Sequence, residues 1–342
     1  MNIENLETLE LNAGWNSADF QDELWHDILN EEDHAELHKA LLHAKSVSQN
    51  ILDITINDFP LDRVGKRLKK IENELINGRG FSLIRGLDRS RYDNDDMCLL
   101  YWGIGLHLGN PWPQNKHGHM LGDVTDQGKA PSDPTSRGNE LGGVAMPYHS
   151  DGSDLVGLMC LKKAKHGGLS TICNALAIHN ELVKTRPDLV AELYKPQPVD
   201  YRGEEIVGRR AWYQMPVFTV KGNRLFVRYI RPYIKSSQRH ASAPRITDLA
   251  EEAMQVLDEM TQDPKYTLFM DLLPGDMQLI NNYHLLHART SYKDDVEKGE
   301  VRHLKRLWLE TEVLTSRPEW AQTNIGSHWG KKKAISRLDK AH

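Results

Sequence analysis

Cysteine is scarce in this chain: Cys98, Cys160 and Cys173 are the three in 342 residues. An odd, sparse set excludes a disulfide framework and points to a reducing compartment, so a cytoplasmic location is expected. Cys160 and Cys173 fall in apolar stretches and read as small buried hydrophobes. Also missing is any apolar run of the length a membrane span needs. The opening MNIENLETLELNAGW has neither a basic start nor an apolar stretch, and no secretory leader is expected. Nor is there an excess of positive charge. The 43 basic and 48 acidic residues leave a net −5, which gives no global pull toward nucleic acid or anionic lipid. No internal repeat or low-complexity tract is present. These absences remove membrane proteins, secreted mini-domains and polyanion binders, and leave a globular chain long enough for a sizeable core.

Along the chain, the first 45 residues read as helix, with Leu24, Ile28, Leu37, Leu41 and Leu42 at roughly helical spacing. A second helix is expected at 65–76, and GRGFSLIRGL (78–87) switches to a strand pattern bounded by glycines. Residues 107–148 are rich in Gly, Pro, Asn, Asp and Ser and lack periodicity, so they are expected to form a lid loop. From 155 onward strand patterns dominate, broken by helices near 176–194 and at 246–262, the latter with Thr247 as N-cap. Short strands at regular spacing predict a jelly roll with helices outside it, mainly β within an α+β class. With no linker in view, 1–342 reads as a single domain. It divides into an N-terminal helical segment (1–77), a core (78–315) and a basic C-terminal tail (316–342).

Sixteen histidines make chance pairings common, so spacing alone decides little. Three His-x-Asp/Glu matches occur: His34/Glu36, His179/Glu181 and His149/Asp151. Residues two apart face one way on a strand and diverge on a helix. The first two pairs lie in helical patterns, whereas His149/Asp151 lies in the extended MPYHSDGSD. His34/His38 and His117/His119 are weaker rivals for a metal. The stretch PGDMQLINNYHLLHARTSY (274–292) offers His284 and His287 after a turn, and VRHLKRLWLE (301–310) puts Arg302, Leu304, Arg306 and Trp308 on one strand face. Two arginines beside Leu and Trp are costly unless they meet anions, either internal acids or a bound carboxylate.

Taken in order, His149-x-Asp151, His287 and Arg302-xxx-Arg306 resemble the TauD/TfdA family of iron(II)/2-oxoglutarate-dependent dioxygenases. The likeness runs over roughly residues 78–310 and includes HSDGSDLVGLMCLKKAKHGG, PGDMQLINNYHLLHART and RHLKRLWL. The resemblance implies a double-stranded β-helix (the clavaminate synthase-like jelly roll) with Fe(II) at its mouth, held by His149, Asp151 and His287. It implies that Arg302 binds the distal carboxylate of 2-oxoglutarate and that Ser170, after Gly167-Gly168, supplies a hydroxyl to the same co-substrate. Arg306 corresponds to a second family arginine that meets co-substrate or an acidic group on the substrate, and Asn282 to an asparagine that braces a turn or touches ligand. Two imidazoles and one carboxylate leave three open positions on the metal, the arrangement of non-haem Fe(II) oxygenases. The carboxylate of Asp151 argues against a halogenase.

The expected reaction couples decarboxylation of 2-oxoglutarate to succinate and CO2, with O2 consumed, to hydroxylation of an unactivated C–H bond in a small, carboxylate-bearing metabolite. Desaturation or cyclisation by the same chemistry is the alternative, followed by a zinc-dependent jelly-roll enzyme and a redox-silent binding module. Substrate-side candidates are Arg306, Arg231, Tyr148 and Asn110, with His107, Trp112, Gln114, Arg228 and Tyr229 behind them. Arg228 and Arg231, three apart, are expected on opposite faces of a strand. A homo-oligomer stays open.

Overall fold

In the computed structural model of the chain, residues 6–9, 14–20, 25–115, 117–129, 136–205, 208 and 210–322 are described. Most of the basic tail, GKKKAISRLDK included, lies outside them. The architecture is a double-stranded β-helix built from two sheets. Its strands are β1 (Asp27–Ile28), β2 (Phe81–Arg85), β3 (Asn110–Pro111), β4 (Leu121–Val124), β5 (Met146–His149), β6 (Leu155–Lys162), β7 (Ser170–Asn174), β8 (Thr267–Met270), β9 (Met277–Asn281), β10 (Leu285–Arg289) and β11 (His303–Glu310). The larger sheet runs β1-β2-β9-β6-β11-β3, with β4 also paired to β11, and the smaller runs β8-β7-β10-β5.

Strict alternation sorts the side chains of each strand between the lumen and the helices outside. Val156, Cys160, Ile280, Leu304 and Trp308 of the larger sheet share one core with Ile172, Met270 and Leu285 of the smaller. The opposite faces are buried as well. Helices α1 (Glu31–Val47), α2 (Arg63–Asn77) and α3 (Asn94–Leu106) cover the larger sheet, where Leu37, Leu68 and Leu100 join a core with Met159, Met277, Leu307 and Leu309. Helices α4 (Ala175–Thr185), α5 (Pro187–Leu193), α6 (Arg231–Ser236) and α7 (Asp248–Met260) cover the smaller, where Leu182, Leu189 and Met254 meet Tyr148, Cys173 and Leu286. Burial on both faces explains why these strands read as near-continuous apolar runs.

Three expectations are corrected. Among the described N-terminal residues, a short 3-10 turn occupies Ser17–Phe20 and α-helix begins only at Glu31, because Asn30 and Asp33 form a reciprocal capping box, each accepting the other's backbone N–H at 3.0 Å. Ile28 is not helical: it pairs in parallel with Arg85 of β2. The helix expected near 176–194 is two helices, broken at Arg186–Pro187, where the proline starts the second. Part of the expected lid is sheet: β4 pairs with β11, Val124 opposite Leu304 and Leu121 opposite Leu307. Four residues are too few to display alternation, yet they cover what would otherwise be an open sheet edge. Thr247 does cap α7, accepting the Ala250 N–H at 3.1 Å.

Candidate active site

The smaller sheet places two imidazoles side by side. His287 on β10 is the register partner of His149 at the end of β5, and their ring centroids are 4.2 Å apart. Asp151 lies two residues past β5, in a loop rather than on the strand, and its Oδ2 comes within 3.7 Å of His287 Nε2. One ligand atom from each of the three lies within 4.8 Å of the others, and no other such cluster occurs among the described residues. The loop is rigidly braced. Asn282 accepts the Asp151 N–H at 2.7 Å and donates to the carbonyls of Asp151 and Ser153 at 2.8 and 2.7 Å. Arg228 donates to the carbonyls of Ser150 and Asp151 at 2.5 and 2.9 Å. Asn282 thus serves the turn.

The donor set suits a divalent metal. His149 Nδ1 donates to the Pro147 carbonyl at 2.9 Å, which leaves Nε2 with its lone pair. Burial lowers the pKa of both imidazoles, that of His287 to about 3, so both stay neutral. Burial opposes ionisation of Asp151, but the Arg306 guanidinium beside it, helped by the Trp308 N–H, outweighs it and holds the carboxyl below the usual carboxylate range. Arg306 Nη1 reaches the two Asp151 oxygens at 3.1 and 3.3 Å, and Trp308 Nε1 donates to Oδ2 at 2.9 Å. Alternation along β11 delivers both partners to the lumen.

His149 and Asp151 open onto a cavity of about 250 Å³ whose wall also carries Arg137, Arg202, Arg228, Arg289 and Arg306. Beside Arg302, Gly167 and Gly168 both take left-handed backbone, φ +71° and +74°. A Cβ at Gly168 would stand 2.9 Å from Arg302 Nε, so the turn needs glycine for the arginine to lie against it. Arg302 is buried, its Nη1 has no acceptor, and its guanidinium lies 5.4 Å from the Tyr292 ring centroid. Arg289, on the same ring at 4.8 Å, likewise has Nε and Nη1 buried without acceptors. Burial and the neighbouring Arg289 lower the Arg302 pKa to about 10. Ser170 is the register partner of Arg289 and donates across the lumen to Gln278 Oε1 at 2.8 Å. Arg302 is not on the main cavity's wall. It lines a smaller recess with Gly167 and Gly168.

Several expected substrate contacts are elsewhere. Tyr148 adjoins His149 and therefore points to the opposite face, into the core beneath the helices. Asn110 is exposed and pairs with Glu310 at a sheet end. Arg228 and Arg231 do not share a strand: Arg231 opens α6 and is ion-paired with Glu251 and Asp258. His107 caps α3 with its ring against the Phe59 carbonyl, and Trp112 lines a separate cavity with Asp154 and Arg317. Gln114 is on the main wall, where it accepts from Arg306 Nε at 2.8 Å. The rival histidines are also accounted for. His179 bonds Tyr194, and Glu36 accepts the first N–H groups of α2 instead of joining His34. His117 and His119 line a neighbouring cavity of about 360 Å³. Arg289 went unread in the sequence although it follows His287 by two and so shares its strand face. Arg137 and Arg202 sit in aperiodic segments that carry no comparable signal.

A family model described as "Taurine catabolism dioxygenase TauD, TfdA family" matches residues 43–308. The chain belongs to this family of dioxygenases. It is 30% identical over 326 residues to FR-33289 synthase of Streptomyces rubellomurinus (strain ATCC 31215), covering 94% of each chain. It is 27% identical over 266 residues to uridine-5'-phosphate dioxygenase of Amycolatopsis sp, covering 75% of this chain and 90% of that one. Among solved structures, the non-heme iron oxygenase OrfP in complex with Fe and alpha-ketoglutaric acid superposes with a TM-score of 0.62 at 16% identity, covering 83% of this chain and 93% of that one. Asparagine oxygenase with Fe(II), 2S,3S-3-hydroxyasparagine and succinate gives 0.63 at 16% identity, covering 84% and 94%. These establish the shared β-helix.

For this TauD/TfdA dioxygenase, Arg231→Ala is expected to act on stability and not on ligand binding. Its partly exposed ion pairs predict a loss of about 1–2 kcal/mol in denaturant unfolding, with 2-oxoglutarate affinity unchanged within about twofold. A large fall in that affinity would return Arg231 to the site.

Proposed function

We propose that this oxidoreductase holds Fe(II) through His149, Asp151 and His287 and binds 2-oxoglutarate with Arg302, Ser170 and Arg289. The metal, the co-substrate and O2 supply the oxidising chemistry, with succinate and CO2 as products. The chain's own residues do the rest. Asn282 and Arg228 fix the loop that carries Asp151, and the Pro147 carbonyl fixes the His149 tautomer. Arg306 and Trp308 orient the carboxylate. Arg289 and Arg302 keep buried N–H groups without acceptors, which a bound anion would take. The outcome is hydroxylation of an unactivated C–H bond in a small metabolite bearing an anionic group such as a carboxylate. Three free cysteines go with work in the cytoplasm, and no described helix is long and apolar enough to cross a membrane. In this reading residues 78–315 carry the chemistry and the described residues before them pack against that core.

The observation that carries the proposal is the pairing of a buried His-Asp-His cluster with a buried arginine whose Nη1 has no acceptor. Anaerobic addition of Fe(II) and 2-oxoglutarate is expected to produce a weak charge-transfer band in the green. The band should be absent in His149→Ala and should decay when oxygen is admitted. A folded, iron-loaded protein without the band would overturn the assignment.

A further inference from the structure

Several arginines outside the main cavity meet carboxylates. Arg63 and Arg67 share Asp33, Arg85 meets Asp276, Arg186 meets Asp188 and Glu252, and Arg317 meets Asp154. In the main cavity Arg306 meets Asp151. Five arginines line it, and Asp151 is the one carboxylate among its described lining residues. The Arg137 guanidinium donates to the Gln114 carbonyl at 3.0 Å and forms no ion pair with a carboxylate among the described residues, Glu140 taking its backbone N–H instead. Arg228 spends its side chain on the Ser150 and Asp151 carbonyls and the Tyr213 hydroxyl. Arg289 donates to the carbonyls of Leu141 and Val144 at 3.1 and 2.8 Å. Carbonyl oxygens orient a guanidinium without neutralising it. Partly desolvated cations in a shared cavity repel one another, and such an arrangement is costly unless a ligand brings the missing charge.

The charge to be met exceeds what co-substrate and a simple carboxylate provide. In the proposed reading, the two negative charges of 2-oxoglutarate offset the charge of Fe(II), and Asp151 already faces Arg306. With Arg289 given to the co-substrate and Arg202 on the Ser136 carbonyl and the Tyr233 ring, Arg137 and Arg228 are the two left on the cavity wall for a substrate. One monoanionic carboxylate cannot neutralise both guanidiniums. A group with two charges and three terminal oxygens can take a fork from each.

Resting on that oxygenase reading, we propose that the substrate bears a dianionic phosphoryl group, a phosphonate or a phosphate monoester, recognised by Arg137 and Arg228. Methylphosphonate, methyl phosphate, methanesulfonate and acetate serve as probes, each titrated by calorimetry into anaerobic enzyme loaded with Fe(II) and 2-oxoglutarate. The charge-transfer band, recorded before any probe is added, tests the oxygenase reading separately. At least one of the two phosphoryl probes is expected to bind about tenfold or more tighter than methanesulfonate, a tetrahedral monoanion of similar size, and acetate. Affinity should rise with pH as the second phosphoryl proton leaves, since phosphate esters lose it near pH 6. Preference for methylphosphonate assigns a C–P substrate, and preference for methyl phosphate an ester. Arg137→Gln is expected to weaken the preferred probe about 10–100-fold, and Arg137→Lys less. Arg228→Gln should act alike, but Arg228 also holds the Asp151 loop, so Arg137 is the deciding position. Normal band formation with equal or tighter binding of methanesulfonate or acetate overturns the proposal while sparing the oxygenase reading. So does the absence of saturable binding by either phosphoryl probe, or an Arg137→Gln affinity equal to wild type.

Discussion

Asp151→Ala is expected to abolish 2-oxoglutarate turnover, by about a thousandfold or more, and to destabilise the protein even without metal. Both effects follow from the company this carboxylate keeps. It sits within 3.7 Å of His287 Nε2, takes Arg306 Nη1 on both oxygens and accepts the Trp308 indole N–H at 2.9 Å. Truncation to a methyl removes the one anionic ligand of the cluster and leaves Arg306 and Trp308 facing a void. Breaking a buried pair by deleting one partner costs about 3–5 kcal/mol. Asp151→Asn separates the two losses. Its amide oxygen still accepts from Trp308, so stability should recover in part, while turnover stays low because the negative charge is gone. Urea unfolding of the metal-free variants and thermal melts with and without Fe(II) read both quantities. Wild type should gain stability from the metal by mass action, and neither variant should. Turnover in Asp151→Ala within tenfold of wild type would remove Asp151 from the metal site.

Sequence periodicity revealed what depends on local spacing. The strand signal at 81–85, the helix 248–260 with its Thr247 cap, and the alternation that sends Arg306 and Trp308 into the lumen were all legible, because each follows from a short-range rule. The family resemblance supplied the long-range part: that His149 would meet His287, 138 positions later, is a matter of register between β5 and β10 that no local pattern encodes. The misreadings have the same cause in reverse. Tyr148 was expected on the substrate side, yet it adjoins His149, and adjacency on a strand means opposite faces. Arg231 looked free because its partners, Glu251 and Asp258, are twenty and more residues away on α7. β4 stayed hidden in a Gly- and Asp-rich stretch, since only the neighbouring edge of β11 makes LGDV a strand.

The largest effect expected on co-substrate binding belongs to Arg302, and it should come with an unusual companion. Arg302 is 4% exposed, packs against the Gly167-Gly168 turn and has Nη1 without an acceptor, so in the ligand-free protein its charge is a burden. Burial, reinforced by Arg289, already pulls its pKa down to about 10. Arg302→Leu removes that burden and fills much of the space, so the ligand-free variant should unfold at higher denaturant, by about 1 kcal/mol or more. The same change deletes a charge-assisted, bidentate contact to the distal carboxylate of 2-oxoglutarate, and its dissociation constant should rise about 100-fold or more. Arg302→Lys keeps the charge but not the fork and should fall between the two. Titration of the charge-transfer band gives the affinity, and urea unfolding of the ligand-free protein gives the stability. A ligand site predicts opposite signs for the two measurements. A structural arginine predicts that stability falls while 2-oxoglutarate affinity holds, and that result would shift the anchoring role to Arg289, whose Nε and Nη1 are buried over the same Tyr292 ring.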